Sequence, residues 1–178
     1  MLDSAGFAFE VLPSDAPEVP VPDEEPEACV RRLAWEKALD VVNRRRAKGD
    51  RRVVLAADTM VVLDGEPMGK PADRGEAQEM LTRLSGRSHL VITGVCVIDD
   101  DHVEHRQEVT TEVRFKRLST REIEAYLDGG EWRDKAGGYG IQGQAAYMVQ
   151  SISGSYTNVV GLPLCEAVEA LLHAGIRP

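Results

Sequence analysis

Apolar residues recur at helical spacing along Val30, Leu33, Ala34, Ala38, Val41 and Val42, and Pro26 stands where a first helical turn accepts proline. The pattern predicts a long helix opening at Pro26. The run Val53, Val54, Leu55, Ala56, Ala57 has no polar interruption and suits a strand buried on both faces, ending at Asp58. Met60, Val61, Val62 and Leu63 resume it, and Asp64-Gly65 is a turn signal. Asp73 and Glu76 form a capping-box start for a helix through Ala77, Met80, Leu81 and Leu84, stopped at Gly86. Residues 89–98 and 103–115 read as long strands, the second alternating at Val109, Thr111, Val113 and Phe115. Ser119 and Glu122 cap a further helix through Ile123, Tyr126 and Leu127, closed by Gly129-Gly130.

The two ends carry weaker patterns. Residues 7–12 predict a short strand, after a helical remnant or loose end at residues 1–5. Residues 145–152 predict a strand, residues 153–158 a polar turn, and residues 162–174 a helix with Leu164, Val168, Leu171 and Leu172 inward. Strands and helices that alternate, with long antiparallel-looking strands in the middle, argue for a mixed α/β fold. At 178 residues the chain suits one domain, residues 1–178, with room for lobes.

Charge and cysteine content narrow the function classes. A net charge of −9 provides no general basic field for a nucleic-acid backbone. A small phosphate ligand needs only a few local cations and a metal, so it stays open. Cys29, Cys96 and Cys165 are far apart, fall in apolar patterns and form no CxxC, which reads as buried thiols in a reducing compartment. No apolar run approaches the ~20 residues of a membrane span, and no signal peptide is present, so the expected location is the cytoplasm.

Several side chains stand out against this background. Asp58 is a carboxylate delivered by an apolar strand, a common way to build an active site in an α/β sheet, though a plain hairpin with a local cap fits equally well. Lys70, in Gly69-Lys70-Pro71, places a cation twelve positions later beside a glycine. Lys37 lies seven residues after Val30 and four before Val41, inside the apolar stripe of its helix. It is either a snorkelling lysine or a cation aimed into a cleft. Residues 13–26 hold five prolines and five acids, a solvated acidic loop for most of their length. Residues 131–143, EWRDKAGGYGIQG, set Asp134, Lys135 and Gln142 on a backbone free to take unusual angles.

Four blocks in order, AADTMVVLDGEPMGKP, LSGRSHLVITGV, DKAGGYGIQG and GSYTNVVGLPL, closely resemble the Maf family of nucleoside triphosphate pyrophosphatases. The resemblance runs from about Phe7 to the C-terminal helix. It implies an α/β fold like that of the inosine triphosphate pyrophosphatases, a mixed elongated sheet in two lobes around a nucleotide cleft. It also implies divalent-metal hydrolysis of a nucleoside triphosphate to the monophosphate and pyrophosphate. The family's acid falls on Asp58, described there as proton acceptor or metal-associated, and its helix and GKP lysines fall on Lys37 and Lys70. Glu18 is the choice for the second metal-associated carboxylate, with Asp23, Glu24 and Glu25 as rivals.

Thr59 and Gln142 match the branch that prefers thymidine and uridine triphosphates (dTTP and UTP), and would read the base edge. Asp134 and Lys135 would shape the loop, reach the ribose, or pair with each other. The implied cofactor is Mg2+ or Mn2+, and the implied partners are a nucleoside triphosphate and, for the assembly, a second copy in a homodimer, with no nucleic acid and no membrane. One departure stands against this. Family members begin with a strand running into a Ser-x-Ser-Pro-Arg-Arg loop, which this sequence lacks. Either the start of the sequence is set too late or the first strand and its loop are lost, and in both cases the expectation is weak turnover by the chain as written. The alternative is a non-catalytic nucleotide-binding or regulatory module, since the family has been linked to septum formation.

Overall fold

Helix α1 (Pro26–Arg46) has the build its sequence predicts: proline in the first turn beside an extended Glu25, Glu27 near the positive end of the dipole, and Arg44, Arg45 and Arg46 near the negative end. Its buried residues are Val30, Leu33, Ala34, Ala38, Val41 and Val42, the expected stripe residue for residue. The computed structural model describes residues 1–19, 21–50, 52–99 and 104–178. The remaining elements are β1 (Val54–Leu63), β2 (Glu66–Met68), α2 (Arg74–Leu84), β3 (Ser88–Ile98), β4 (Glu104–Phe115), α3 (Thr120–Gly129), β5 (Val149–Ser153), α4 (Tyr156–Val160) and α5 (Leu164–His173). Short 3-10 turns lie at Asp3–Ala5, Ala136–Gly138 and Gln144–Met148.

The strands form one sheet in the order β2-β1-β3-β4-β5, so the fold is mixed α/β. β1 and β2 pair antiparallel, with Val61 opposite Met68 and Leu63 opposite Glu66. Asp64 and Gly65 close this hairpin at φ 55 and 82, the pair of positive values that a two-residue hairpin turn demands. β4 and β5 also pair antiparallel, from Glu112 opposite Ser153 to Phe115 opposite Val149.

The chain divides into two compact units. The first comprises Met1–Asp58, Thr93–Val109 and Gly161–Pro178. In it the alternation of β3 is plain. Cys96 and Ile98 pack with Ala34, Ala38 and Val42 of α1, while Val97 packs with Phe7 and with Ala170 and Leu171 of α5. α1 approaches β3 closely at Gly94, where an added Cβ would lie 2.2 Å from the Val30 carbonyl oxygen.

The second unit comprises Thr59–Ile92 and Thr110–Val160. Its core gathers Val61, Leu63, Leu81, Leu84, Val91, Phe115 and Tyr126, all 3% exposed or less. Each such side chain contributes ~1.5–3 kcal/mol by leaving water. α3 opens on a complete capping box between Ser119 and Glu122 and ends on left-handed Gly130. α2 has half of that device. Asp73 accepts from the Glu76 amide, but the Glu76 carboxylate turns to the Ala72 amide.

Several expectations are corrected. β1 continues through Asp58 to Leu63, so this carboxylate sits mid-strand and not at a strand end. Residues 7–12 form no strand among the described residues. Residues 144–148 form a 3-10 turn before β5, because Ala145 and Met148 are buried three apart, the period of that helix and not of a strand. Residues 156–160 form α4, which begins inside the expected polar turn and runs past its end. In α5 the buried residues are Ala167, Ala170 and Leu171, and Leu172 faces out at 39% exposure. The three cysteines are free, but Cys165 is exposed and Cys29 half-buried, leaving only Cys96 in the core. Val103, expected to begin the second long strand, lies outside the described residues.

Candidate active site

The first unit brings together three of the residues singled out in the sequence. Lys37 of α1 places its Nζ 2.5 Å from Oδ1 of Asp58 on β1 and 2.6 Å from Oε1 of Glu18 in the acidic loop. The Asp58 side chain is 11% exposed, Lys37 22% and Glu18 50%. Burial opposes the charge on Lys37, but the hydrogen bonds and charges of Asp58 and Glu18 outweigh it and raise its pKa above the ordinary lysine value. Lys37 is thus a charged group aimed inward from an apolar stripe, not a snorkelling one. Its single charge faces two carboxylates, and the trio keeps a formal surplus of one negative charge.

The acidic loop is fixed on both sides of Glu18. Before it, Asp40 of α1 accepts from the Ser14 hydroxyl at 3.0 Å and the Asp15 amide at 2.8 Å. Arg44 reaches the Pro13 carbonyl and pairs with Asp15 at 3.0 Å. After it, Arg32 donates to the Val19 carbonyl at 3.2 Å and grips Glu24 at 2.7 Å. The hydrogen bond to Arg32 holds the Glu24 carboxyl below its usual range. Glu24 is therefore engaged with Arg32, which leaves Glu18 as the loop acid on Lys37. Asp23 adopts φ 58, a turn geometry, and is exposed with Glu25. Arg32, Asp40 and Arg44 were not legible as site-builders, because nothing periodic marks a helix residue that ties down a loop.

Lys37 also lines one end of a cavity of about 920 Å³, whose walls include Phe7, Phe9, Leu12, Val41 and Leu55. Its lining also includes Arg45 and Arg52, but both are already paired with Glu10 and Asp50. The charged cluster, not the cavity, is the candidate for phosphate chemistry. Among the described residues no group of three or more His, Cys, Asp and Glu side chains converges on a metal position. The donor set that does converge is Asp58 and Glu18, two hard carboxylates already sharing one positive group, and such oxygens suit a divalent cation that keeps several waters.

The remaining predicted residues lie in the second unit. Thr59 follows Asp58 on β1, and alternation directs it to the opposite face of the strand. Lys70, Asp134, Lys135 and Gln142 are all exposed. Asp134 takes φ 59, and the Lys135 stem lies along Gly140. One backbone hydrogen bond joins the two segments that carry them: the Gly137 amide donates to the Gly69 carbonyl at 3.0 Å. A pair missed in the sequence includes one residue of this loop. His89 of β3 and Tyr139 meet at 2.7 Å in the core.

Among the described residues no helix is long and apolar enough to cross a membrane. A family model described as "Maf-like protein" matches residues 1–174. The chain is similar to the "dTTP/UTP pyrophosphatase" of Geobacter sulfurreducens, 52% identical over 98% of this chain and 90% of that one. The protein of the same name from Syntrophotalea carbinolica is 50% identical over 98% of this chain and 79% of its own. The Rhizobium meliloti protein, also of that name, is 46% identical over 98% and 86%.

Proposed function

Since the chain belongs to the Maf family, we propose that it hydrolyses the pyrimidine nucleoside triphosphates dTTP and UTP to monophosphate and pyrophosphate. The observation that carries the reading is the ammonium of Lys37 held by Asp58 and Glu18, in a chain half identical to proteins of that name. Once those carboxylates engage a cation, the Lys37 ammonium is available to phosphate oxygens.

Asp58 and Glu18 would hold the divalent cation, Mg2+ or Mn2+. Bound there, such an ion supplies positive charge to phosphate oxygens and lowers the pKa of a water. The chain's own residues do the rest. Asp58, the less exposed of the two acids, accepts the proton of the attacking water. Lys37, released from the carboxylates, and the exposed Lys70 bind phosphate oxygens as point charges. Gln142 offers an amide donor and acceptor to the pairing edge of uracil or thymine, and Thr59, whose side chain alternation turns away from the Asp58 face, would reach that edge through its backbone. Asp134 and Lys135 shape the glycine-rich loop or reach the ribose. An inosine triphosphate pyrophosphatase-like fold belongs to the same reading, supported by the mixed α/β class, the five-stranded sheet and the two compact units. A cytoplasmic location is supported by the free thiols.

The test is pyrophosphate release from five nucleotides with magnesium in excess. Cytosine inverts the pattern at one end of the pairing edge and leaves a group unpaired, at a cost of ~1–3 kcal/mol. The expected order is dTTP and UTP, then CTP, then ATP and GTP. ATP or GTP coming out fastest overturns the specificity. Tight nucleotide binding with no release would give the regulatory-module reading its support.

A further inference from the structure

His89 and Tyr139 form a buried polar contact that the hydrolytic residues do not use. His89 is 2% exposed and Tyr139 6%, both amid the apolar core of the second unit. The Tyr139 hydroxyl lies 2.7 Å from Nε2 of His89, while Nδ1 has no partner among the described residues. Phe115 completes an edge-to-face trio, 5.1 Å from His89 and 4.8 Å from Tyr139 by ring centroids. As a stability device this is a poor choice. Burial disfavours the imidazolium, and one ring nitrogen stays unsatisfied. Two apolar rings of the same shape would fill the space at less cost.

What the contact does provide is direction. A lone ring in an apolar core can turn and slide, whereas a hydroxyl bonded to a fixed nitrogen cannot. Tyr139 follows two left-handed glycines, Gly137 at φ 67 and Gly138 at φ 71. Gly137 donates to the Gly69 carbonyl and fits so tightly that a Cβ there would lie 3.1 Å from Val61. Beyond Tyr139, Ile141 is buried and Gln142 is exposed. Glycine-rich backbone has little conformational preference of its own, so its path depends on such anchors.

We propose that His89 and Tyr139 are positioning residues for base selection: their hydrogen bond sets the path of residues 137–143 and thereby the direction of Gln142. This rests on the proposed pyrimidine nucleotide hydrolysis. The pair touches no substrate, and it governs which base is accepted more than how fast the bond breaks.

Tyr139→Phe keeps the ring and removes the hydroxyl. It should raise amide hydrogen exchange across residues 137–143 by about five- to tenfold, the worth of one neutral hydrogen bond, and leave β3 protected. The kcat/KM ratio of dTTP over CTP should fall by a similar factor, mostly through KM. His89→Leu should do the same, and His89→Gln, whose amide reaches the place of Nε2, should restore both readouts. Wild-type loop exchange in Tyr139→Phe would overturn the proposal. So would equal losses on every nucleotide with a lowered melting point, the mark of a merely structural pair. If the wild-type protein hydrolyses no nucleotide, the function reading fails, and loop exchange alone still decides whether the pair positions the loop.

Discussion

Lys37 and Asp58, 21 residues apart, meet with Nζ 2.5 Å from Oδ1, and Glu18 closes on the same ammonium at 2.6 Å. The helix supplies the cation, the strand one acid and the loop the other. Each is placed by a different kind of structure, so the trio can be taken apart one member at a time.

Lys37→Met removes the cation that two carboxylates share. Breaking a largely buried charged hydrogen bond strands its partner, so stability should fall by about 1–3 kcal/mol. For a chain of this size that lowers the melting temperature by roughly 5 °C. The KM for dTTP should rise. Thermal melts and Michaelis kinetics together check it. An unchanged melting point would mean that the acids are already neutralised without Lys37.

Asp58→Asn keeps the shape and hydrogen-bonding reach of the side chain and removes its charge. Turnover should drop by ~10²–10⁴, the usual worth of a proton-transfer group, with the circular dichroism spectrum retained. A variant within about threefold of wild type, far below that range, would make Asp58 a structural partner of Lys37 and nothing more.

Gln142→Ala should cost little stability, because the side chain is exposed. It should lower the preference for dTTP over CTP by about fivefold while leaving the phosphate requirements intact, since one lost hydrogen bond is worth ~1 kcal/mol. Competition assays with mixed nucleotides measure this directly. An unaltered ratio would assign base reading to other residues.

His89 makes stability depend on pH. Burial lowers its folded pKa from 6.5 to about 4. Between those values the unfolded chain takes up a proton that the folded one refuses, so stability is lost as pH falls from about 6.5 to about 4 and levels off below. The loss attached to this one group is about 3 kcal/mol. Urea melts across that window should show a flatter curve for His89→Gln. An equal slope in both proteins would place the acid sensitivity elsewhere.

The sequence made α1 legible because a helix packed on one side writes its burial directly into a period, and Lys37 stood out as the charged member of that stripe. Asp58 was found by its apolar neighbours, although the strand does not stop there. Glu18 came from the family resemblance, since nothing in an acid-rich loop tells one carboxylate from the next. The choice is made by partners distant in sequence: Arg32, which takes Glu24 and the Val19 carbonyl, and Asp40, which holds Ser14 and Asp15. Such pairings leave no periodic trace. The same reason hid His89 and Tyr139, 50 residues apart. Residues 7–12 are apolar enough to suggest a strand, yet Phe7 is buried and Phe9 is 54% exposed, and among the described residues the segment joins no ladder.

The bare backbone at Gly94 sets the depth of α1. With the Val30 carbonyl only 2.2 Å from where a methyl group would stand, the helix rests on the strand with nothing between them. A helix behaves as a rod, and Lys37 lies seven residues further along, ~10 Å of rise. Raising one end of the rod shifts the other. A side chain at position 94 would therefore act as a shim, drawing the ammonium away from the strand that carries Asp58. The reach of the Lys37 ammonium is gauged by an atom the protein does not have.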